Sequence, residues 1–375
     1  MADRSDPLVL LIAEQLRRAV PGGIGVYVEG LLAGLAAMGG EAPDATLWAS
    51  RAPGARRPDP LASLGSLVTS RLPGAVLVKA WDLGLGRPRF DDGENAVVHA
   101  SSLATPPAAR RRGGPALSVM IHDLAWRRFP DAYPARGRRW HEAALRRAIA
   151  RAGLLLAPSS TTAADLLAAG ALSSRLEVVE HGCDHLARPD PEAAGTLLGR
   201  VGVEGPYILT VSTIEPRKNL PALLAAYAAA RPRLPEPWPL LVVGPSGWGP
   251  RLTPPPGVVL AGPVSGGTLS ALYGGARVVA YVPVMEGFGL PPIEAMSCGT
   301  PVVATPMPST GGAAFEVRPD DVGGIADALV QVCTDDSTRA DLVAAGYERA
   351  AVLTWERSAR RHVELWNDLI ESRRR

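Results

Sequence analysis

Short apolar runs alternate with longer alanine-, leucine- and arginine-rich segments along this chain, and that rhythm restricts the fold more than any other feature. Strand candidates are Leu8–Ala13, Ala96–His99, Leu117–His122, Leu154–Ala157 and Leu176–Val179. A second series follows at Tyr207–Val211, Leu240–Val243, Val258–Ala261, Val278–Val282 and Pro301–Ala304. Between them lie helix candidates, among them Gly25–Ala37, Gly137–Ala152, Thr161–Ala168, Leu220–Ala230, Ser265–Gly274 and Gly289–Cys298. Asp321–Thr334, Ser337–Ala350 and Trp355–Ser372 complete the set. Such alternation implies βαβ units and parallel sheets. Two series imply an α/β protein of two Rossmann-like domains, with ligands at the carboxyl ends of the strands. The segment His185 to Gly205, with Pro189 and Pro191, reads as the connection between them.

Bulk properties narrow the class. A length of 375 residues suits two domains, and 47% hydrophobic against 20% charged residues allows sizeable cores. The net charge of +2 argues against a dedicated nucleic-acid binder. Cys183, Cys298 and Cys333 are too scattered for a disulfide framework or a zinc site and suit a reducing cytoplasm. No signal peptide is evident, and no apolar run reaches the roughly 18 residues needed to span a bilayer.

Two stretches carry chemistry. In Glu286-Gly-Phe-Gly-Leu-Pro-Pro-Ile-Glu294 two carboxylates flank a glycine turn and a helix start. Both can face one cleft, and the free N–H groups at the helix start suit an anion. In Leu209-Thr-Val-Ser-Thr-Ile-Glu-Pro-Arg217-Lys218-Asn219-Leu220 a strand, a small-residue turn and a basic pair precede a helix. Arg offers a planar fork and Lys a point charge to a diphosphate. The chain has only two lysines, Lys79 and Lys218, among 39 basic residues, so Lys218 runs against the composition.

The first stretch resembles the E-x7-E signature of retaining glycosyltransferases with the GT-B fold, in particular family 4. Pro216-Arg217-Lys218-Asn219-Leu220 resembles the basic motif of the same family. The resemblance covers nearly the whole chain, strongest from Tyr207 to Ala304. It implies two Rossmann-like domains facing across a cleft: an acceptor domain, residues 1–185, and a nucleotide-sugar donor domain, residues 186–354. The position of Leu353-Thr-Trp-Glu356 resembles the point where a C-terminal helix, residues 355–375, crosses back to the N-terminal domain.

The resemblance also implies roles. Arg217 and Lys218 would neutralise charge on the leaving diphosphate. Glu286 would contact the donor sugar and Glu294 the ribose hydroxyls. Ser212, Asn219, Gly287, Phe288, Gly289 and Leu290 would complete the donor site. Gly22, Gly23 and Gly25 resemble the first family loop, near the donor phosphate and the acceptor. His122 and Asp123 resemble the family's His-Asp-Leu element at a strand end, where they could bind sugar hydroxyls or handle a proton; the alternative is a capping Asp beside a half-buried His. Tyr27 and His99 are candidate acceptor contacts, with a structural role equally open for His99. His181-Gly-Cys-Asp184-His185 resembles a Gly-x-Asp element and reads as structural.

The expected activity is retaining transfer of a hexosyl group, with mannosyl favoured, from a GDP- or UDP-linked sugar. The acceptor would be a glycan, a lipid-linked or a small molecule. No cofactor or metal is expected, since the chain has no Asp-x-Asp triplet. The wording around Thr213 to Asn219 resembles enzymes of polysaccharide assembly. The expected place is the cytoplasm, with peripheral contact to the inner membrane face through arginine clusters at Arg110–Arg112, around Arg136–Arg151 and at Arg373–Arg375. One departure from the family is a shortened loop after Pro306. Two alternatives stay open: a non-catalytic nucleotide-sugar binder of the same fold, and an epimerase or phosphorylase.

Overall fold

The structure, a computed structural model, describes residues 8–52, 59–88, 93–107, 113–247 and 252–374. Arg110–Arg112 and Arg375 lie outside these residues. The chain separates into two compact units, Met1–His185 with Trp355–Arg375, and Leu186–Thr354.

The first unit holds β1 (Leu8–Ile12), β2 (Ala45–Ala49), β3 (Leu67–Thr69), β4 (Ala96–Ala100), β5 (Ala116–Met120), β6 (Leu154–Ala157) and β7 (Leu176–Val178). Its helices are α1 (Gly22–Ala37), α2 (Gly74–Asp82), α3 (Ala125–Arg128), α4 (Ala135–Arg151) and α5 (Ser160–Ala168). All strands are parallel, in the order β3-β2-β1-β4-β5-β6-β7, with Leu8 opposite Ala96 and Ile12 opposite Ala100. Side chains alternate across β1. Val9 and Leu11 enter a core with Tyr27, Leu31 and Trp366, while Leu10 and Ile12 enter the opposite one with Trp48, Trp81 and Leu145.

The second unit holds α6 (Pro191–Arg200), β8 (Ile208–Val211), α7 (Leu220–Ala230), β9 (Leu240–Val243), β10 (Val258–Gly262), α8 (Gly266–Gly275), β11 (Val278–Tyr281), α9 (Leu290–Ser297), β12 (Val302–Ala304), β13 (Phe315–Glu316), α10 (Val322–Thr334) and α11 (Asp336–Ala351). Its sheet is also parallel, in the order β10-β9-β8-β11-β12-β13. The segment read as a plain connection contains α6. Pro191 sits in the first turn, where no amide donor is needed, and Asp190 caps it by accepting from Ala193 N at 2.9 Å.

The last helix, α12 (Trp355–Arg374), belongs to the first unit. Its buried stripe of Trp355, Ala359, His362, Trp366 and Ile370 follows helical spacing. Asp184 caps it, accepting from Trp355 N at 2.7 Å, and Trp355 Nε1 donates to His185 at 3.1 Å. The structural reading of the His181–His185 stretch therefore stands on contacts. Gly30 and Gly34 of α1 let α12 approach: a Cβ at Gly30 would lie 2.1 Å from the Trp355 ring, and one at Gly34 2.1 Å from Trp355 O. Burying one indole of roughly 200 Å² is worth on the order of 5 kcal/mol.

Candidate active site

In an open parallel sheet a ligand crevice forms where the strand order reverses, at the carboxyl edge. The second unit reverses between β8 and β11. Arg217 and Lys218 follow β8 in a 3-10 turn, and Glu286 follows β11. Asn219 ends that turn in the left-handed region, φ 56°, a conformation Asn tolerates. Its side-chain NH2 donates to Val282 O at 3.0 Å and Pro319 O at 2.8 Å. Both amide hydrogens are spent on holding the loop, so the Asn219 NH2 group clamps the turn that carries Arg217 and Lys218.

Four charges meet here. Lys218 Nζ lies 2.5 Å from Glu286 Oε1, and Arg217 Nη1 lies 3.0 Å from the same oxygen. Arg217 Nη2 lies 2.9 Å from Glu215 Oε1. Tyr281 Oη accepts from Lys218 at 2.6 Å and donates to Glu286 Oε1 at 2.9 Å. Burial pushes the Glu286 carboxyl up, but Lys218 and Arg217 more than offset it and hold it at about 2. Burial, with Glu286 beside it, pushes the Tyr281 phenol well up, so it remains a donor.

Gly287, Phe288, Gly289 and Leu290 carry the chain into α9. Gly289 has φ 95°, and a Cβ there would meet Met307 Sδ at 2.4 Å and Ser309 Oγ at 3.0 Å. The shortened loop after Pro306 is therefore packed onto the glycine turn. Ser309 N donates to Phe288 O at 3.1 Å, and Arg349 Nε grips Ser309 O at 2.9 Å. Glu294 is buried in α9 and accepts from Tyr273 Oη at 2.8 Å. The two motif carboxylates thus join separate networks, one anchored by Tyr281 and one by Tyr273. Ser212 and Ser309 are buried, and neither hydroxyl has a hydrogen-bond partner among the described residues. A ligand would satisfy such groups.

The first unit reverses its strand order between β1 and β4. At that edge His122 and Asp123 follow β5 and line a cavity of about 200 Å³. His122 Nε2 donates to Ser101 O at 3.0 Å, and Nδ1 pairs with His181 Nε2 at 3.3 Å. Both ring nitrogens are engaged, and burial lowers its pKa, so this arrangement leaves His122 no free nitrogen for a proton transfer. Asp123 Oδ1 accepts from Ala125 N at 3.0 Å. Helix α1 starts at Gly22, three residues before its expected start; Gly22 and Gly23 are exposed there. Gly25 is buried instead, and a Cβ would lie 2.4 Å from the Pro21 ring, so it serves local packing rather than a donor.

Tyr27 and His99 are both fully buried, which removes them as acceptor contacts. His362 Nδ1 donates to Ser358 O at 2.7 Å, so its Nε2 must accept from Tyr27 Oη at 2.9 Å. Tyr27 Oη then accepts from His99 Nε2 at 2.7 Å, and His99 Nδ1 accepts from Ser118 Oγ at 3.1 Å. This chain of fixed direction joins α1, β4, β5 and α12. Burial lowers His99 and His181 well below their usual range and His362 to about 4.

Residues 205–335 match the family profile described as "Glycosyl transferases group 1", and residues 21–185 match "Glycosyltransferase Family 4". The D-inositol 3-phosphate glycosyltransferase of Salinispora arenicola is 30% identical over 350 residues, covering 82% of this chain and 76% of that protein. The chain belongs to the family 4 glycosyltransferases. The O-antigen chain mannosyltransferase B of Escherichia coli is 29% identical over 280 residues, covering 71% of this glycosyltransferase and 72% of the relative. Among solved structures, HepE of Anabaena in complex with UDP and glucose superposes with a TM-score of 0.68 at 18% identity, covering 96% of this chain and 100% of that one. At that identity the likeness speaks for the fold.

Several residues of the glycosyltransferase site carry no sequence motif. Tyr281, Tyr273 and Ser309 hold or adjoin the motif residues through contacts that no local pattern announces. Tyr281 alone offered a sign, as a polar-tipped side chain at the carboxyl end of a strand. Among the described residues no group of three or more His, Cys, Asp or Glu is arranged to hold a metal ion, and no helix is long and apolar enough to cross a membrane.

Proposed function

We propose that this glycosyltransferase moves a hexosyl group, mannosyl first among the candidates, from a GDP- or UDP-linked sugar to a hydroxyl acceptor with retention and without a metal. The acceptor is a glycan, a lipid-linked or a small molecule, and the reaction belongs to polysaccharide assembly. The observation that carries the reading is the Arg217–Lys218–Glu286–Tyr281 cluster at the switch point of the second sheet. Mannosyl is favoured by the E. coli relative's name, and a nucleotide donor by the UDP in the HepE complex.

In the apo state Glu286 occupies both cations. A diphosphate entering beside α9 takes over Lys218 and Arg217, which releases the Glu286 carboxylate to the donor sugar. Ser212, Ser309 and the backbone N–H groups from Gly287 to Leu290 offer further donors, and Glu294, steadied by Tyr273, is the acceptor for ribose hydroxyls. As the bond from the anomeric carbon to the diphosphate breaks, charge grows on the leaving oxygen, where fixed cations are worth most. The acceptor hydroxyl attacks the same face, and its proton passes to the leaving diphosphate. The protein acts in the cytoplasm, with the exposed arginines of α4 as a peripheral contact to an anionic membrane face.

The test is an assay with GDP-mannose and UDP-glucose in chelator, with the product's anomeric configuration read by NMR from the one-bond C1–H1 coupling. Transfer with retained configuration supports the reading. An inverted product, or activity that dies in chelator and returns with manganese, contradicts it.

A further inference from the structure

The switch point of the first unit carries a larger cavity, about 810 Å³, beside the one lined by His122. The two share Gln15, Arg18, Ser102, Trp140 and His141 as lining, so they form one trough along the carboxyl ends of β1, β2, β4 and β5. Most polar groups in its wall are already spent. Glu14 accepts from Ser50 N at 2.8 Å and Ser50 Oγ at 2.9 Å. Arg17 forks onto Asp59 at 2.5 and 2.6 Å and donates to Ser50 O at 3.1 Å. Trp140 Nε1 donates to Asp82 at 3.0 Å.

Three groups are left over. Arg18 and Arg51 line the large lobe, both exposed, and neither guanidinium has a hydrogen bond or ion pair among the described residues. His141 Nδ1 donates to Gly137 O at 2.8 Å, so its Nε2 is an unprotonated acceptor without a partner among them. Burial lowers the His141 pKa and outweighs the Gly137 hydrogen bond and the Asp123 carboxylate, which raise it; the Arg18 cation adds to the lowering. Two unspent forks in the lining of one cavity, which a hydrogen-bond acceptor and the Trp140 ring also line, match a ligand with an oxyanion and a hydroxyl-bearing ring.

We propose that the trough is the acceptor site and that it selects a sugar or polyol bearing a phosphoryl group. The phosphoryl oxygens lie on Arg18 and Arg51, a ring hydroxyl donates to His141 Nε2, and the ring rests on Trp140. This rests on the transferase reading, since an acceptor is needed only if transfer occurs. The phosphoryl group has two possible sources, a soluble sugar or polyol phosphate and a lipid-linked sugar phosphate, and the recognition chemistry is the same for both.

The experiment titrates the full chain with glucose 6-phosphate against glucose, inositol 1-phosphate against inositol, and a prenyl-phosphate-linked hexose in detergent against an alkyl glucoside. The same titrations are run on R18A/R51A, which removes two guanidinium groups that make no hydrogen bond or ion pair among the described residues. The expected result is a preference for at least one phosphorylated probe on the order of tenfold, erased in the double variant. The probe that shows it identifies the source. Absence of any preference, or one that survives the double substitution, overturns the proposal. Nucleoside diphosphate binding and donor hydrolysis are measured in parallel. If they persist in the wild type, only the phosphoryl-acceptor proposal fails; if they are absent, the transferase reading fails.

Discussion

At the carboxyl edge of the second unit Arg217, Lys218, Glu215 and Glu286 neutralise one another in a buried cluster, whereas in the first unit Tyr27, His99, His122, His181 and His362 share a buried network held neutral. Both satisfy polar groups away from water, but they differ in what they can exchange. Two cations paired with two carboxylates can re-pair with an incoming anion at little loss of Coulomb energy. The histidine network has each proton already assigned between fixed partners, and several of those partners lie on α12. It can hold a helix in place but has no exchangeable charge to offer a ligand. That contrast separates His99, buried among fixed hydrogen-bond partners, from the half-buried Lys218, which is surrounded by exchangeable charge.

The largest effect should come from breaking the charged cluster. Lys218→Ala leaves Glu286 buried with one cation fewer; loss of a partner from a buried pair costs about 3–5 kcal/mol in stability, and loss of a transition-state charge contact about 10²–10³ in kcat. Thermal melting and initial rates check both, and a variant within twofold of wild type would break the comparison.

Acidification should separate the two networks. The depressed histidines are neutral in the fold but take protons readily once unfolded, so stability falls as pH drops below about 6.5 toward the folded value, about 4 for His362. From pH 7.5 to 5 that group alone removes about 2 kcal/mol, and His99 and His181 add in the same direction. Glu286 works in a lower window: its contribution is present above 4.5 and lost only as pH falls toward about 2. Urea unfolding followed by tryptophan fluorescence, which reports Trp355 and Trp366, should therefore weaken at pH 5 while nucleotide binding persists. Equal stability at the two pH values would contradict a network of buried neutral histidines.

His362→Leu should sharpen the same point at smaller scale. It leaves Tyr27 Oη without its acceptor, at about 1–3 kcal/mol, and flattens the pH dependence between 7.5 and 5. An unchanged pH profile would show that His362 is not the group that titrates. The smallest effect on melting is expected for Tyr273→Phe, which removes one hydrogen bond to Glu294. A charge-assisted bond of this kind is worth about 1.5–3 kcal/mol at most, and the loss should appear in donor KM rather than in melting. An unchanged KM would separate Tyr273 from donor recognition.

Much of this was legible in the chain itself. The alternation of apolar runs placed most strands of both sheets, and the two motifs placed Arg217, Lys218, Glu286 and Glu294 before any contact was known. The misses share a physical cause. β2, β3 and α2 lie in a stretch of short, weakly periodic segments, and α6 was hidden by prolines that its first turn tolerates. Tyr281 and Tyr273 act through contacts across the fold, and the bond between Tyr27 and His362 spans 335 residues of sequence. The motif marked Asn219 as a donor-site residue, but only its backbone angle and two carbonyl partners showed that it clamps the loop. A motif marks where chemistry can occur; which groups are already spent is decided by packing.

The central claim is that Glu286 holds Lys218 and Arg217 in the place a diphosphate will take. The direct measurement is the affinity of GDP and UDP, in chelator, for the wild type, Lys218→Ala and Glu286→Gln. Binding should weaken about tenfold or more in Lys218→Ala and tighten in Glu286→Gln, where the cations lose their competitor. Weaker binding in both variants, or no binding of either nucleotide to folded wild type, would contradict the account.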